Sequence, residues 1–278
     1  MKKKLAFIDM DGTLLRNRRT ISDTQIEYLR KASEVVEIVI ATGRSIADCE
    51  LVLSRCPFIR YVVASNGAYA KDLHENKIIF NHKMSYRSLK RLCDYIIQNN
   101  LKYSMHNDEM QYVNVVGDYP EDADTVLTGD LYEFLANNDV TQLTLIGAGV
   151  PRMVEAKKFV MKYSEYEIQN QSMQLVKYLD NPESVVSTTD DPIYYFMDIT
   201  KSKVNKGVGV KKVIKYLGYK IEDTIAIGNG MNDVSMFKVV GNPVAVDNAF
   251  DEIKAHTTKV IGSNVDDGVG KYLVTFLD

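Results

Sequence analysis

Asp9 and Asp11, two aspartates with one residue between them, have the type and spacing to carry out chemistry. They follow an apolar run, residues 5–8, that predicts a short buried strand. Gly12 then permits a sharp turn. Two carboxylates this close can hold a hard cation, attack an electrophile or exchange a proton. An Asp-rich turn without chemistry explains the local pattern equally well, because Asp and Gly are common turn residues.

Length and composition limit the class of protein. The chain has 278 residues, 45% hydrophobic and 26% charged, which predicts two folded domains, or one domain with a large insert. A net charge of −3 gives no general attraction to nucleic acid or anionic membranes. The cysteines and histidines are too scattered for a disulfide framework or a zinc site. Three lysines and a short apolar run resemble the start of a signal peptide, but Asp9 and Asp11 interrupt the run, and no stretch reaches membrane-spanning length. We therefore expect a cytoplasmic protein, and we also expect a monomer or weak homodimer.

Strand-like and helical segments alternate through residues 1–83 and again through residues 199–278, and each strand ends in small or polar residues. This alternation predicts a parallel sheet with helical crossovers, a Rossmann-like α/β fold. The predicted strands after the first are residues 35–41, 61–64, 224–227, 243–246 and 259–261.

Residues 84–198 have a different pattern. A helix is predicted over 85–99, and short alternating segments at 101–106 and 111–116 are typical of paired antiparallel strands. Further predicted helices and strands are 131–136, 140–148, 151–163, 166–169, 174–179 and 194–199. We therefore predict an inserted α/β domain, 84–198, between two parts of a core, 1–83 and 199–278.

Four loops come together at the carboxyl ends of the predicted core strands, where ligands bind in open α/β sheets. Their polar side chains are those of Asp9, Asp11, Thr42, Lys206, Asn229, Asn232 and Asp233. Phosphoryl transfer from a monoester needs an attacking carboxylate, a second acid, a divalent cation, and a lysine and a hydroxyl for the remaining oxygens. Magnesium suits such a site because it takes oxygen ligands and keeps waters.

Each of these motifs has an ordinary structural explanation when it is taken alone. Thr42-Gly43-Arg44 is typical of a strand-to-helix turn, and Lys206 of a solvated lysine at a helix start. Asn232-Asp233 is typical of a helix N-cap. Gly228-Asn229-Gly230 lacks the third glycine that a dinucleotide-binding loop requires. The conjunction of the four loops is more specific than any one of them.

The sequence Asp-x-Asp-Gly-Thr at residues 9–13, placed after an apolar strand, resembles the nucleophile motif of the haloacid dehalogenase (HAD) phosphotransferases. The order of all four loops resembles this superfamily over the whole core. The details are similar to its Cof-type, type IIB sugar-phosphatase branch, in which a large cap follows the Thr42 motif. The segments that carry this likeness are 66–68, 206–207, 244–249 and 266–269.

The resemblance implies a Mg²⁺-dependent phosphatase for small phosphorylated metabolites, either sugar phosphates or nucleotides. Asp9 would be the nucleophile that becomes an aspartyl-phosphate, and Asp11 the general acid and then the base. Residues implied to bind phosphate or substrate are Gly12, Thr42, Gly43, Arg44, Lys206 and Asn232. Those implied to hold the metal are Asp9, Asp11 through its backbone carbonyl, Asn229 and Asp233. The cap would close over the site and select the substrate.

Asn229 departs from the family pattern, which usually has a metal-binding Asp at this position. An amide oxygen can coordinate Mg²⁺ but carries no charge, so we expect weaker metal binding than in relatives with Asp. Two alternatives stay open. The chain could bind a phosphorylated ligand without catalysis, or it could be a phosphotransferase or mutase that uses the same aspartate.

Overall fold

The computed structural model describes residues 3–17, 19–107, 110–113, 125–126, 130–148, 150–171 and 194–277. The chain divides into two compact units. Unit 1 is Met1–Asn81 with Asn205–Asp278, and unit 2 is His82–Val204. Unit 2 extends beyond residue 198, the predicted bound, because the strand there continues to Lys201 within the sheet of unit 2. None of the described helices is long and apolar enough to cross a membrane.

The first part of unit 1 begins with the predicted buried strand. Its elements are β1 (Lys4–Ile8), α1 (Asp23–Ala32), β2 (Val36–Ala41), α2 (Glu50–Leu53), β3 (Tyr61–Ala64), β4 (Tyr69–Asp72) and β5 (Lys77–Asn81). Helix α1 begins at Asp23, because the Ser22 hydroxyl accepts a hydrogen bond from the backbone N–H of Gln25 at 2.9 Å and so caps the helix. Between β2 and β3 the chain forms a 3-10 turn, Ala47–Cys49, that leads into α2.

Unit 2 is a six-stranded sheet packed against helices. Its elements are α3 (Tyr86–Gln98), β6 (Lys102–His106), β7 (Gln111–Val113), β8 (Thr125–Val126), α4 (Leu131–Asn137), β9 (Gln142–Ala148), α5 (Val150–Met161), β10 (Tyr166–Gln171) and β11 (Tyr194–Lys201). The strand order is β10-β11-β9-β6-β7-β8, with antiparallel pairs except for β7 and β8. The strand predicted at 174–179 lies outside the described residues.

The second part of unit 1 completes its sheet. Its elements are α6 (Lys206–Leu217), β12 (Thr224–Gly228), α7 (Val234–Phe237), β13 (Asn242–Val246), α8 (Asp251–Lys254), β14 (Lys259–Ile261) and α9 (Gly268–Val274). Strand order is β14-β13-β12-β1-β2-β3-β4-β5, and the pairs from β14 to β3 are parallel. Strand β1 therefore lies inside the sheet, and its alternating side chains are buried in an apolar core on each face.

Strands β4 and β5 form an antiparallel hairpin that extends the sheet beyond β3. The sequence pattern predicts no strand between residues 64 and 84, so this hairpin was missed. The two strands are short and differ in burial, since β4 is buried throughout and β5 is exposed or half-buried. A strand is usually recognised by alternating apolar residues or by a continuous apolar run, and this segment shows neither pattern in full.

Candidate active site

Asp9 directly follows β1 at the carboxyl edge of the unit 1 sheet. Its backbone N–H donates to the carbonyl of Ile227 in β12, and the residue is only 5% exposed. The loop that follows folds back on itself, because the N–H groups of Thr13, Leu14 and Leu15 all donate to the Met10 carbonyl. This turn is possible because Gly12 has a φ of +74°.

Lys206 joins the loop after β1 to the loop after β12. Its Nζ donates to Asp9 Oδ1 at 2.8 Å and to Asp233 Oδ1 at 2.5 Å, and its side chain is fully buried. The second oxygen of Asp233 accepts the backbone N–H groups of Asn229 and Gly230. Asp9 Oδ2 accepts no hydrogen bond from the residues that the structure describes. One oxygen of Asp9 is thus fixed, and the other is available to react.

The electrostatics of this group follow from its burial. Burial, together with the negative charges of Asp233 and Asp11, raises the pKa of Asp9 to about 7, although Lys206 opposes the shift. Burial lowers the pKa of Lys206, but Asp233 and Asp9 more than offset this, so its pKa is raised and it stays charged. The centre therefore carries an excess of buried acidic groups over buried cations.

Asp11 and Arg44 form a forked ion pair. The Arg44 Nε donates to one Asp11 oxygen at 2.8 Å, and Nη2 donates to the other at 2.7 Å. Burial lowers the pKa of Arg44, but the hydrogen bonds and charge of Asp11 raise it overall. The family resemblance implies that Arg44 binds phosphate or substrate, whereas in the structure its guanidinium contacts Asp11, the implied general acid.

The loop after β2 contacts the loop after β3. The Thr42 hydroxyl is buried and accepts the backbone N–H of Arg44 at 3.2 Å. The Thr42 carbonyl accepts the backbone N–H of Asn66 at 3.0 Å. Asn66 also accepts a hydrogen bond from Asn232, from Nδ2 to Oδ1 at 2.9 Å. Asn66 thus lies between two of the predicted site residues.

Asn229 faces the loop after β1 through both ends of its amide. Its Oδ1 accepts a hydrogen bond from the Thr13 hydroxyl at 3.1 Å. A Cβ on Gly12 would lie 2.4 Å from Asn229 Nδ2, so a side chain at position 12 would displace the Asn229 amide. These contacts hold Asn229 against the loop that follows Asp9 and Asp11.

The predicted site residues therefore gather into two contact groups in unit 1, one around Lys206 and one around Asp11 and Asn66. Reasoning from sequence missed the contact roles of Asn66, Thr13 and the Arg44 fork. The sequence does contain a signal for the turn at Asn66, since Asn-Gly after a strand is typical of a left-handed turn.

The oxygen atoms after β1 and β12 fit Mg²⁺ in their chemistry. Asp9 and Asp233 supply carboxylates, and the excess of buried acidic groups is what a divalent cation would offset. Among the described residues no three His, Cys, Asp or Glu side chains form a metal-binding group. A metal here would therefore also need neutral oxygens, such as the Asp11 carbonyl and the Asn229 amide.

A family model of the haloacid dehalogenase-like hydrolases matches residues 6–273, nearly the whole chain. The chain belongs to this family. The match runs through both units and includes every predicted site residue.

Two similar proteins are named as phosphatases. The 5-amino-6-(5-phospho-D-ribitylamino)uracil phosphatase YwtE of Bacillus subtilis (strain 168) is 25% identical over 289 residues, covering 97% of this chain and 96% of that protein. The pyridoxal phosphate phosphatase YbhA of Escherichia coli (strain K12) is 23% identical over 282 residues and covers all of both chains. Both likenesses thus span essentially whole proteins.

A solved structure of the HAD subclass IIB sugar phosphatase BT4131 has a TM-score of 0.76 to this chain, at 23% identity and 99% coverage of both chains. At this identity the likeness shows the shared fold. The comparisons confirm the predicted superfamily, the α/β fold class and a HAD-type phosphatase. Phosphotransferases of this superfamily generally use Mg²⁺.

Proposed function

We propose that this HAD phosphatase is a Mg²⁺-dependent phosphomonoester hydrolase that acts on small phosphorylated metabolites through an aspartyl-phosphate on Asp9. The observation that carries the proposal is the environment of Asp9. It is buried, one of its oxygens is held by Lys206, and the other has no partner among the described residues. Such a carboxylate is poised as a nucleophile rather than as one half of a saturated salt bridge.

In the first step Asp9 Oδ2 attacks phosphorus, and the bond from phosphorus to the leaving oxygen breaks. The leaving oxygen takes its proton from Asp11. In the second step water attacks the aspartyl-phosphate and gives its proton to Asp11. The bond from phosphorus to Asp9 breaks, so inorganic phosphate leaves and the carboxylate is restored.

Lys206 and Thr42 supply hydrogen-bond donors that bind and orient the phosphoryl group. Lys206 has a third N–H beyond those given to Asp9 and Asp233, and Thr42 has a hydroxyl proton to donate. When bound at Asp9, Asp11, Asn229 and Asp233, Mg²⁺ supplies charge compensation between carboxylate and phosphate. We assign Gly12, Gly43, Arg44 and Asn232 to phosphate or substrate binding as well.

The fork between Asp11 and Arg44 sets a condition on the first step. A carboxylate that accepts two N–H groups of a guanidinium cannot at the same time hold the proton that the leaving oxygen needs. Asp11 therefore has to separate from Arg44 when substrate binds. A phosphate dianion can compete with Asp11 for the guanidinium, because phosphate, like carboxylate, is a charged acceptor of two N–H groups at once.

The substrate class follows from the relatives, whose named substrates are a phosphoribityl compound and pyridoxal phosphate. Both are small phosphomonoesters. The comparisons support neither a binding protein without catalysis nor a phosphotransferase. A cytoplasmic location and a monomer or weak homodimer remain predictions.

The test is phosphate release across a panel of sugar phosphates, nucleotides and vitamin phosphates, with and without Mg²⁺. We expect Mg²⁺-dependent release that is lost in Asp9→Asn. Asp251→Asn, at an exposed position, is the matched control. Release that survives in Asp9→Asn would refute the assigned nucleophile. Ligand-induced thermal stabilisation without turnover would indicate a binding protein, and transfer to a sugar hydroxyl in preference to water a phosphotransferase.

A further inference from the structure

The turn after β3 has an unusual backbone. Ser65, Asn66 and Gly67 have consecutive φ values of +49°, +50° and +88°. Left-handed conformations are disfavoured for residues with a side chain, and two such residues in sequence are sustained only where the surroundings fix them. Asn66 is also fully buried. Strain of this kind is concentrated at functional sites, which makes the contacts of this turn informative.

The turn is bonded to the loop that carries Thr42. The backbone N–H of Asn66 donates to the Thr42 carbonyl at 3.0 Å, and that of Ser65 donates to the Arg44 carbonyl at 2.8 Å. Between these bonds the Asn66 amide lies against Gly43, where an added Cβ would lie 3.0 Å from Nδ2. Both ends of the Thr42–Arg44 segment are thus fixed by one turn.

The same turn reaches two other loops of the site. The Asn66 Oδ1 accepts a hydrogen bond from Nδ2 of Asn232, and Asn232 belongs to the loop after β12. A Cβ on Gly67 would lie 2.2 Å from the carbonyl oxygen of Asn205, the residue before Lys206. The turn therefore contacts the three loops that hold Thr42, Asn232 and Lys206.

We propose that Asn66 is a positioning residue, which sets the distance between the phosphate-binding groups of the loops after β2 and β12. The inference rests on the proposed function, because it assigns Asn66 a task in that site. Asn66 is fully buried and acts through Thr42 and Asn232 rather than on substrate. The left-handed backbone aims its side chain at Asn232 while its N–H stays on Thr42.

Asn66→Gly tests this role, because glycine keeps the left-handed backbone and removes only the amide. We expect kcat/KM to fall about 10²-fold, the effect of displacing a binding group by about 1 Å. The matched control is Asn76→Gly, because Asn76 has a φ of +49° on an exposed turn of the same unit. The control should keep wild-type kcat/KM.

A double-mutant cycle separates positioning from simple stability. If Asn66 acts through Asn232, the double variant Asn66→Gly with Asn232→Ala should lose no more kcat/KM than the more damaging single variant. Multiplied losses, or an Asn66→Gly enzyme as active as the control, would overturn the inference. If Asn66→Gly does not fold, Gly43→Ala displaces the same amide, and its loss of kcat/KM should not add to that of Asn232→Ala. Wild-type kcat/KM in Gly43→Ala would contradict the role.

Thermal shift with inorganic phosphate distinguishes this inference from the proposed function. If the wild-type chain releases no phosphate from any substrate, the proposed function fails. A phosphate-induced rise in Tm that shrinks in Asn66→Gly but not in Asn76→Gly would then still support Asn66. A wild-type chain that neither turns over nor binds phosphate would overturn both.

Discussion

Lys206 Nζ lies 2.8 Å from Asp9 Oδ1, and the two side chains are 0% and 8% exposed. The residues are 197 positions apart in sequence and meet at the carboxyl edge of the unit 1 sheet. Asp233 completes the group on the other side of the lysine. A lysine between two buried carboxylates stabilises the fold through both ion pairs, and it also supplies positive charge for a phosphate that binds there.

Removal of the Lys206 charge should destabilise the protein. Lys206→Met leaves Asp9 and Asp233 buried without a cation, and breaking a buried pair in this way costs about 3–5 kcal/mol. Urea unfolding should show this loss near pH 8 and a smaller loss near pH 5, where carboxyl groups can take up protons. Lys211→Met, exposed on the same helix, is the control. Equal stability of Lys206→Met and its control would contradict a buried triad.

Protonation of Asp9 should make the stability of the metal-free protein depend on pH. Its pKa is raised from 3.8 to about 7 by burial first and then by Asp233 and Asp11. The folded state therefore binds this proton more tightly than the unfolded state. Its contribution to stability is complete below about pH 4 and is lost as pH rises through about 7. A proton that the folded state binds this much more tightly stabilises it by on the order of 4 kcal/mol below about pH 4.

Asp9→Asn removes this titration and isolates it from those of other carboxyl groups. The free energy of unfolding, measured in EDTA between about pH 4 and pH 8, should fall less with pH in Asp9→Asn than in the wild type. Asp251→Asn, at an exposed position, should follow the wild type. Parallel curves for Asp9→Asn and the wild type would show that Asp9 has an ordinary pKa.

The pattern of local elements was largely predictable, because its signals lie within a few residues. The apolar run Leu5 to Ile8 predicts β1, and the bounds of α6 follow from two adjacent capping residues, Asn205 and Gly218. In the structure the Asn205 side chain accepts the N–H of Val208, and Gly218 has a φ of +65°. Such caps act on adjacent backbone groups and need no tertiary context.

The side-chain pairs within the site were not predictable in this way. The Arg44 fork on Asp11 and the contact of Asn232 with Asn66 join residues 33 and 166 positions apart. Motif order placed these residues at one edge of a sheet, but it could not show which donor faces which acceptor. The hairpin of β4 and β5 was missed for a related reason, since its pairing with β3 is tertiary.

Asn229→Asp should strengthen metal binding. A carboxylate can keep the acceptor contact with the Thr13 hydroxyl and adds charge beside the loop after β1. The Mg²⁺ concentration for half-maximal activity should fall by about tenfold, because ligand charge tunes cation affinity. Asn76→Asp adds the same charge at an exposed turn and should leave this concentration unchanged. A requirement in Asn229→Asp no lower than in the wild type would contradict a metal contact at this position.

Gly67→Ala and Gly218→Ala should differ in cost, although both positions have positive φ. At Gly218 an added Cβ would have no heavy atom within 4 Å. The expected loss of stability is therefore only that of placing alanine in a left-handed backbone, about 1–2 kcal/mol. At Gly67 the Cβ would lie 2.2 Å from the Asn205 carbonyl oxygen, which adds about 1–3 kcal/mol of overpacking. Urea unfolding of the two variants checks this difference. Equal losses would mean that the turn after β3 is not tightly packed against α6.

The central claim is a covalent phosphoryl group on Asp9, and trapping tests it most directly. Asp11→Asn is incubated with Mg²⁺ and 4-nitrophenyl phosphate, whose leaving group departs without a proton, so the first step proceeds while the second lacks its base. We predict one equivalent of nitrophenolate and one phosphoryl group on the peptide that contains Asp9. The double variant Asp9→Asn with Asp11→Asn should show neither. A burst in the double variant, or a phosphoryl group on another peptide, would contradict the assignment of Asp9 as nucleophile.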